Sequence, residues 1–267
     1  MKFGIIGYGN LGKALVKGLL CAGVYQQDIV INARTEKTRN MIKEQLEHVC
    51  VTESKEELLA LSDVVILIVE PKNAFEVLSE LANYHIEDKT IVSFMAGISR
   101  QEIRQMLGMQ GKTAKVIRVM PNIAIANANG ILGMTYEETD YEEIRSVITV
   151  FEKLGYALKL EEEQLDYVTV TAASGLAFVA SLMNSYQSAC NVLLDSDIQS
   201  KEITLRVFEN VIDIVKKENC SFEDVMKRIT TKGGTTEAGM NCLNQEAITN
   251  TLEDCVKNSY NKCRKIL

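Results

Sequence analysis

The spacing of Gly7, Gly9 and Gly12 constrains this chain more than any other feature. Lys2-Phe3-Gly4-Ile5-Ile6 is a short apolar run that leads straight into Gly7-Tyr8-Gly9-Asn10-Leu11-Gly12. Lys13-Ala14-Leu15-Val16-Lys17-Gly18-Leu19-Leu20 then follows with helix-compatible spacing. Strand, G-x-G-x-x-G and helix in that order form a dinucleotide-binding fingerprint. The first glycine permits a tight turn, the second lets the backbone approach a pyrophosphate, and the third lets helix and strand pack closely. The helix start adds free N–H groups and the positive end of a dipole. Gly7, Gly9, Asn10, Leu11 and Gly12 are therefore expected to hold a nucleotide cofactor.

A chain of 267 residues, 46% hydrophobic, is long enough for two domains with a sizeable core. Its formal net charge of −7 argues against a nucleic-acid partner, which calls for a basic face. No apolar run approaches the length that would span a bilayer, so no membrane partner is expected. The first strand starts at about Lys2, which leaves no room for a leader, and the cytoplasm is the expected location. Seven cysteines form no C-x-x-C, and His48 and His85 are the only histidines, so no metal site is expected. The cysteines read as reduced thiols packed as small apolar groups.

The two halves follow different patterns. Short β-branched runs at 29–32, 48–51, 63–69, 90–93 and 115–119 alternate with amphipathic stretches such as 38–46 and 74–81. That alternation predicts βαβ units in a doubly wound, Rossmann-like parallel sheet. Val64 to Val69 is apolar at every position, as suits a central strand covered on both faces. A further pair, Ile131–Met134 and Ala157–Leu160, flanks a helix from Tyr141 to Leu154 closed by Gly155, and extends the sheet. From about Glu161 only helical spacing remains, over 165–188, 202–217, 222–228 and 238–265. The expected division is a nucleotide-binding domain over 1–160 and an all-helical domain over 161–267. The helix around Phe178 to Leu194 is apolar on too much of its circumference to face solvent, so it is expected to be either a domain core or an interface, with a dimer interface favoured.

Cofactor choice turns on the end of the second strand, where NAD-binding folds commonly carry an acid for the ribose hydroxyl. Here the chain reads Asn32-Ala33-Arg34-Thr35-Glu36-Lys37. Arg34, Thr35 and Lys37 suit an extra phosphate, since a guanidinium can pair with it bidentately and a hydroxyl can donate. NADPH is the expected cofactor, and Glu36 keeps NADH open.

Four more segments carry chemistry. Val69-Glu70-Pro71-Lys72 ends the fourth strand with a proline that turns the chain across the cofactor. Met95-Ala96-Gly97-Ile98-Ser99 follows the fifth and Arg118-Val119-Met120-Pro121-Asn122 ends the sixth. In the helical half, Thr230-Thr231-Lys232-Gly233-Gly234-Thr235-Thr236-Glu237-Ala238-Gly239 opens a helix, and Ala173-Ser174-Gly175-Leu176-Ala177-Phe178 precedes another. Together and in this order, along the whole chain, these segments resemble the pyrroline-5-carboxylate reductase family. The resemblance implies a Rossmann domain followed by a helical dimerisation domain, with dimers that often assemble into larger rings. It implies NAD(P)H-dependent reduction of the cyclic imine 1-pyrroline-5-carboxylate to L-proline, the last step of proline biosynthesis. It also implies that the G-G-T-T loop, supplied by the partner subunit, binds this small-molecule substrate beside the nicotinamide.

On that reading Val69, Pro71, Ala96, Gly97 and Asn122 join the cofactor site. Ser174, Thr231, Gly233, Gly234, Thr235 and Thr236 form the substrate site. A Gly-Gly-Thr-Thr turn at a helix start offers N–H and O–H donors to the substrate carboxylate. Thr236 is the catalytic candidate, nearest the ring nitrogen, although a threonine there also suits a plain helix cap. The chain departs from the family pattern around the substrate. Val69-Glu70-Pro71 stands for V-K-P, Asn122-Ile123-Ala124 for N-T-P, Gly175-Leu176-Ala177-Phe178 for G-P-A-Y, and Lys227 to Lys232 for D-N-V-T-S-P. Late-competence relatives also carry Lys before Gly-Gly. Two functions fit: a divergent working reductase, or a paralogue with altered substrate or no turnover that binds NADP(H) as a dimeric binding or regulatory protein.

Overall fold

The structure is a computed structural model that describes residues 1–264 and, of Gln110 and Lys112, the backbone alone. Strands Phe3–Ile6 (β1), Ile29–Asn32 (β2), Cys50–Thr52 (β3), Val64–Leu67 (β4) and Thr90–Ser93 (β5) alternate with helices. These helices are Asn10–Cys21 (α1), Glu36–Gln45 (α2), Lys55–Leu61 (α3) and Ala74–Leu81 (α4). Arg100–Met106 (α5), Lys115–Pro121 (β6), Gly130–Thr135 (β7), Tyr141–Glu152 (α6) and Gly155–Lys159 (β8) follow. The strands form one sheet in the order β3-β2-β1-β4-β5-β6-β7-β8. β1 to β6 run parallel, but β7 runs antiparallel to β6, with β8 parallel to β7. The sheet is thus mostly rather than wholly parallel: the single turn Ile123–Asn127 between β6 and β7 leaves no crossover to bring the chain back.

Strand alternation sorts the core into two layers. Phe3, Ile5, Ile31, Ile66, Val92 and Ile117 face the helices α1 and α6, where Leu15, Leu19, Val147 and Phe151 complete one cluster. Ile6, Val30, Val65, Leu67, Ile91 and Val116 face α3, α4 and α5, with Leu58, Leu78 and Ile103 in the other. All four residues of β4 are buried, as a central strand requires. Gly155 does not cap α6, which ends on Lys153. It opens β8 instead, with φ +149 and its Cα so close to Gly130 that an added Cβ would lie 2.1 Å from that carbonyl oxygen.

Beyond β8 the chain is helical: Leu165–Val168 (α7), a π-helical segment Thr169–Ser174, Gly175–Leu194 (α8), Asp197–Glu218 (α9), Phe222–Ile229 (α10), Thr235–Met240 (α11) and Gln245–Cys263 (α12). The one long helix expected over 238–265 is two, because Asn244 Oδ1 accepts the Ala247 N–H at 3.0 Å and starts α12 afresh. The chain divides into two compact units, Met1–Ser174 with the chain from Ser259 onward, and Gly175–Asn258. Within the first unit the end of α12 meets α7, with the Tyr167 and Tyr260 rings 5.5 Å apart. Cys263 is buried there, and burial together with Asp166 pushes its thiol up to about 11. Cys21 and Cys242 are exposed, so the expectation of packed thiols holds fully only for Cys263.

In the second unit Tyr186 of α8 meets Phe208 of α9 edge-on at 6.1 Å. Capping boxes and αL ends fix these helices: Ser221 and Asp224 exchange bonds at the start of α10, and Asn219 ends α9 with φ +50. Yet α8 buries no residue, and among the described residues Val225 is the only buried apolar side chain between Gly175 and Asn258. The helical stretch Glu162–Leu194 is also long and apolar enough, by length and composition alone, to cross a membrane. That corrects the expectation that no run approaches this length. Small uncharged Thr, Ser, Ala and Asn residues keep Tyr167 to Leu194 free of Asp, Glu, Lys and Arg, although few of them are strongly apolar.

The first unit's core predicts a sharp contrast in stability. Phe151 is fully buried with its ring 6.0 Å from Phe94, whereas Phe75 is 69% exposed. Phe151→Ala is expected to lower the unfolding free energy by about 3–5 kcal/mol, and Phe75→Ala by less than about 0.5 kcal/mol, in urea denaturation followed by circular dichroism.

Candidate functional site

Four parallel strands end together at the point where strand order reverses, between β1 and β4, which is where open α/β sheets bind ligands. The chain keeps its ladder for one more step past each strand: Gly7 N–H donates to Asn32 O at 3.3 Å, Ile68 N–H to Ile6 O at 2.8 Å, and Phe94 N–H to Leu67 O at 2.9 Å. Gly7 then turns with φ +107, and a Cβ there would lie 2.1 Å from Ile68 O. No other residue fits that corner. Gly12 packs so closely on the turn that its own Cβ would meet Gly7 O at 2.5 Å.

Gly9 differs from both, because a Cβ there would meet nothing within 4 Å. It caps α1 without a side chain, and the first helical bond runs from Lys13 N–H to Gly9 O at 2.9 Å. The N–H groups of Asn10, Leu11 and Gly12 precede that bond and have no helical partner. No acid sits in the first turn of α1. Open space, free donors and a positive helix end suit a pyrophosphate.

Beside this turn lies a cleft of about 350 Å3. It brings together four residues expected from sequence, Gly7, Arg34, Thr35 and Val69. At the tip of β2, where an acid would disfavour an extra phosphate, Asn32 is buried and donates to Thr52 O at 3.3 Å. Arg34 is exposed at the mouth. Thr35 caps α2, its Oγ1 accepting Thr38 N–H at 3.2 Å and pairing with Thr38 Oγ1 at 2.8 Å. Capping leaves the hydroxyl pair at the cleft surface. Lys37 does not line it.

Sequence reasoning missed the residues that shape the rest of this cleft: Tyr8, Thr38, Glu53, Lys55 and Glu76. Arg39, also missed, donates to Ala33 O and Arg34 O at 3.1 Å each and pairs with Glu53 at 2.8 Å, so it braces the Arg34 loop. Lys55 is held by Glu80 at 2.6 Å. Ionic partners far apart in the chain carry no local spacing by which they could have been found.

The remaining cofactor candidates stand on neighbouring loops. Pro71 opens a single 3-10 turn, Pro71–Asn73, that leads into α4. The unusual Glu70 is exposed, and Lys72 answers it at 2.5 Å and holds its carboxyl below the usual range. Ala96 and Gly97 lie half-buried after β5, Gly97 with φ +75. Asn122 is buried and committed: Nδ2 donates to Ala172 O at 3.1 Å, while Oδ1 accepts Ala124 N–H at 3.2 Å and Ile131 N–H at 3.3 Å. Its side chain therefore holds the turn Ile123–Asn127, on which α1 packs through Gly18.

Two arginines beneath these loops share one acid, Glu162, and Arg100 has a second in Glu137, 3.1 Å from its Nη1. Arg118, 4% exposed in the middle of β6, donates from Nη1 to Glu162 Oε1 at 2.8 Å, and Arg100 donates from Nε to Oε2 at 2.8 Å. Burial works to raise the Glu162 carboxyl, but the hydrogen bonds from Arg118 and Arg100 outweigh it and hold the group below its ordinary value.

The substrate candidates fall in two places. Ser174 closes the π-helical segment Thr169–Ser174, a helix type that recurs at functional sites. In the second unit Gly233 turns with φ +76, and its N–H is taken by Glu237 Oε2 at 2.7 Å, while Gly234 N–H is taken by Thr231 O at 3.0 Å. The glycines thus shape the turn rather than offer donors. Gly234, not a threonine, caps α11, and among the described residues the Thr231, Thr235 and Thr236 hydroxyls have no side-chain hydrogen bond. Those hydroxyls and the first-turn N–H groups of α11 are the free donors here.

Comparison with known proteins follows this division. Residues 2–97 match the family model described as NADP oxidoreductase, coenzyme F420-dependent, and residues 162–266 match that for pyrroline-5-carboxylate reductase dimerisation. Pyrroline-5-carboxylate reductase 2 of Bacillus subtilis is 30% identical over 97% of this chain and 94% of its own length. The chain belongs to the pyrroline-5-carboxylate reductase family. The Aquifex aeolicus reductase is 28% identical over 100% of this chain and 97% of its own. The fold is similar to that of the Plasmodium falciparum pyrroline carboxylate reductase crystallised with NADP bound, with a TM-score of 0.88 and 22% identity over 100% of this chain and 98% of the other. Helical and Rossmann-like parts therefore occur in this family in the order seen here.

Gly9 supplies the cleanest test of the turn. Gly9→Val fills open space without touching the fold, so the melting temperature is expected to stay within about 2 °C while NADPH affinity falls at least about tenfold in fluorescence titration.

Proposed function

We propose that the protein reduces 1-pyrroline-5-carboxylate to L-proline with NADPH, closing proline biosynthesis in the cytoplasm. The observation that carries this reading is the pairing, in one family-length chain, of the open Gly9 turn at β1 with a Gly-Gly-Thr-Thr helix start whose hydroxyls are free. NADPH supplies the hydride that the imine carbon takes up, while the ring nitrogen gains a proton. The free N–H groups of α1 hold the pyrophosphate, and Arg34 with Thr35 holds the 2′-phosphate. Val69, Pro71, Ala96 and Gly97 border the nicotinamide. NADH binds by the same turn but leaves Arg34 without a partner, so NADPH is preferred.

On the substrate side Thr235 and Thr236, with the N–H groups of their helix turn, receive the carboxylate and the ring nitrogen. Thr236 orients that nitrogen and relays its proton. Thr231 and Ser174 border the same substrate. A protonated imine is already electrophilic, so the protein's task is positioning and charge complementarity.

The active form is a homodimer built from the helices of residues 161–267, while residues 1–160 bind nucleotide. Support comes from the apolar surface those helices leave uncovered. Val192, Leu193 and Ile198 are 82%, 90% and 84% exposed, and Leu176, Val179, Leu182 and Ile212 are also exposed. Monomeric soluble proteins rarely leave contiguous apolar surface of this kind in water. The same covering accounts for the uncharged stretch Tyr167–Leu194.

NADPH oxidation on adding pyrroline-5-carboxylate, followed by absorbance with NADH in parallel, tests the reaction. Tight NADPH binding without oxidation of NADPH by any small cyclic imine would instead support a non-catalytic dimeric binding protein. Thr236→Ala is expected to lower kcat about tenfold or more with NADPH affinity unchanged within about twofold. Arg34→Ala is expected to weaken NADPH by about tenfold and NADH by less than about twofold, from loss of one charge-assisted contact.

A further inference from the structure

We propose that Glu162 is a positioning residue for the hydride transfer, acting through Arg118 and Arg100 on the loop from Met95 to Ser99. The loop is tied at both ends to this one carboxylate. At its start, Arg118 Nη2 donates to Met95 O at 3.4 Å while Nη1 donates to Glu162 Oε1 at 2.8 Å. At its end, the Arg100 backbone N–H donates to Glu162 Oε1 at 2.8 Å and Arg100 Nε to Oε2 at 2.8 Å. Between the two anchors lie Ala96 and Gly97, the latter with φ +75. The capping box of Ser99 and Glu102 fixes the helix side of the loop, and Ser93 Oγ fixes the strand side by accepting Met95 N–H at 3.2 Å.

A carboxylate that only neutralised a buried arginine would need one partner. Glu162 has two, plus a backbone N–H, and they sit on either side of the same five residues. It is also the residue where the long helical stretch Glu162–Leu194 begins. The loop therefore takes its position from the start of that helix, although 62 residues separate Glu162 from Arg100. Arg118 Nε is buried with no hydrogen-bond partner, and Glu162 is the one acid paired with Arg118 among the described residues. Arg100 Nη1, in contrast, also lies 3.1 Å from Glu137 Oε1, an acid shared with Arg104, so losing Glu162 leaves Arg118 the less supported of the two anchors. An amide at this position would set its own NH2 donors against the guanidinium donors and release the loop.

This inference rests on the proposed function, in which that loop borders the nicotinamide. The test compares wild type, Glu162→Gln and Glu162→Asp by steady-state kinetics, by the emission of bound NADPH, which reports the nicotinamide's surroundings, and by binding of adenosine 2′,5′-bisphosphate, which lacks the nicotinamide. Expected for Glu162→Gln are a loss in kcat of about tenfold or more, altered emission of bound NADPH, and bisphosphate affinity within about twofold of wild type. Glu162→Asp, which keeps the charge, is expected to recover part of the lost kcat. Unchanged kcat and emission in Glu162→Gln would overturn the proposal, as would a parallel loss of bisphosphate binding, which marks general collapse. Should Glu162→Gln fail to fold, Arg100→Gln removes one arm only: a loss in kcat of about threefold with bisphosphate binding intact supports the proposal, and wild-type kcat overturns it. A wild-type protein that turns over no pyrroline-5-carboxylate sinks the proposed substrate, and the emission and bisphosphate arms still decide the role of Glu162.

Discussion

The corner at Gly7 is the constraint on which the rest of the first unit depends. A chain leaving β1 must turn within one residue of Ile68 O, in a left-handed conformation, to place α1 across the sheet. Any side chain would push β1 away from β4, and those two strands carry the reversal of strand order that opens the cleft. Once the corner is made, Gly12 lets α1 settle onto it and Gly18 lets the same helix meet the turn after β6. The free N–H groups at the start of α1 therefore point to where the strand ends converge. A backbone conformation available to glycine thus sets the position of the free N–H groups of α1.

A second constraint is charge inside the sheet. Arg118 stands in the middle of β6, and a buried guanidinium is tolerable only with a partner. Its partner is Glu162, at the start of the long helix, and the same acid takes Arg100 at the start of α5. The need to satisfy one buried charge thereby joins a strand, a loop and a helix of separate origin in the chain. Electrostatics has the opposite character at Glu70, where the exposed acid meets Lys72 two residues on and solvent screens both.

The second unit combines regular helices with little apolar burial of its own. Its helices are capped and regular, yet α8 buries nothing and Val225 is its single buried apolar side chain among the described residues. The apolar side chains it leaves exposed, Val192, Leu193 and Ile198 among them, lie within the residues that match the family's dimerisation model.

Much of this was legible in the amino-acid order. Short β-branched runs such as 29–32 and 90–93 became β2 and β5 with those same bounds, and the glycine spacing marked the turn from β1 into α1, because both depend on neighbours in sequence. Arg34 and Thr35 could likewise be placed at the tip of β2. Tertiary structure alone decided the reversal of β7, the bracing of the Arg34 loop by Arg39 and Glu53, and the committed Asn122 side chain. It also gave Glu162 two arginine partners. These depend on groups brought together from distant positions, whose pairing energy leaves no periodic trace along the chain. Local geometry was determined by the sequence by itself; which polar groups remained free for chemistry was decided only when the chain had folded.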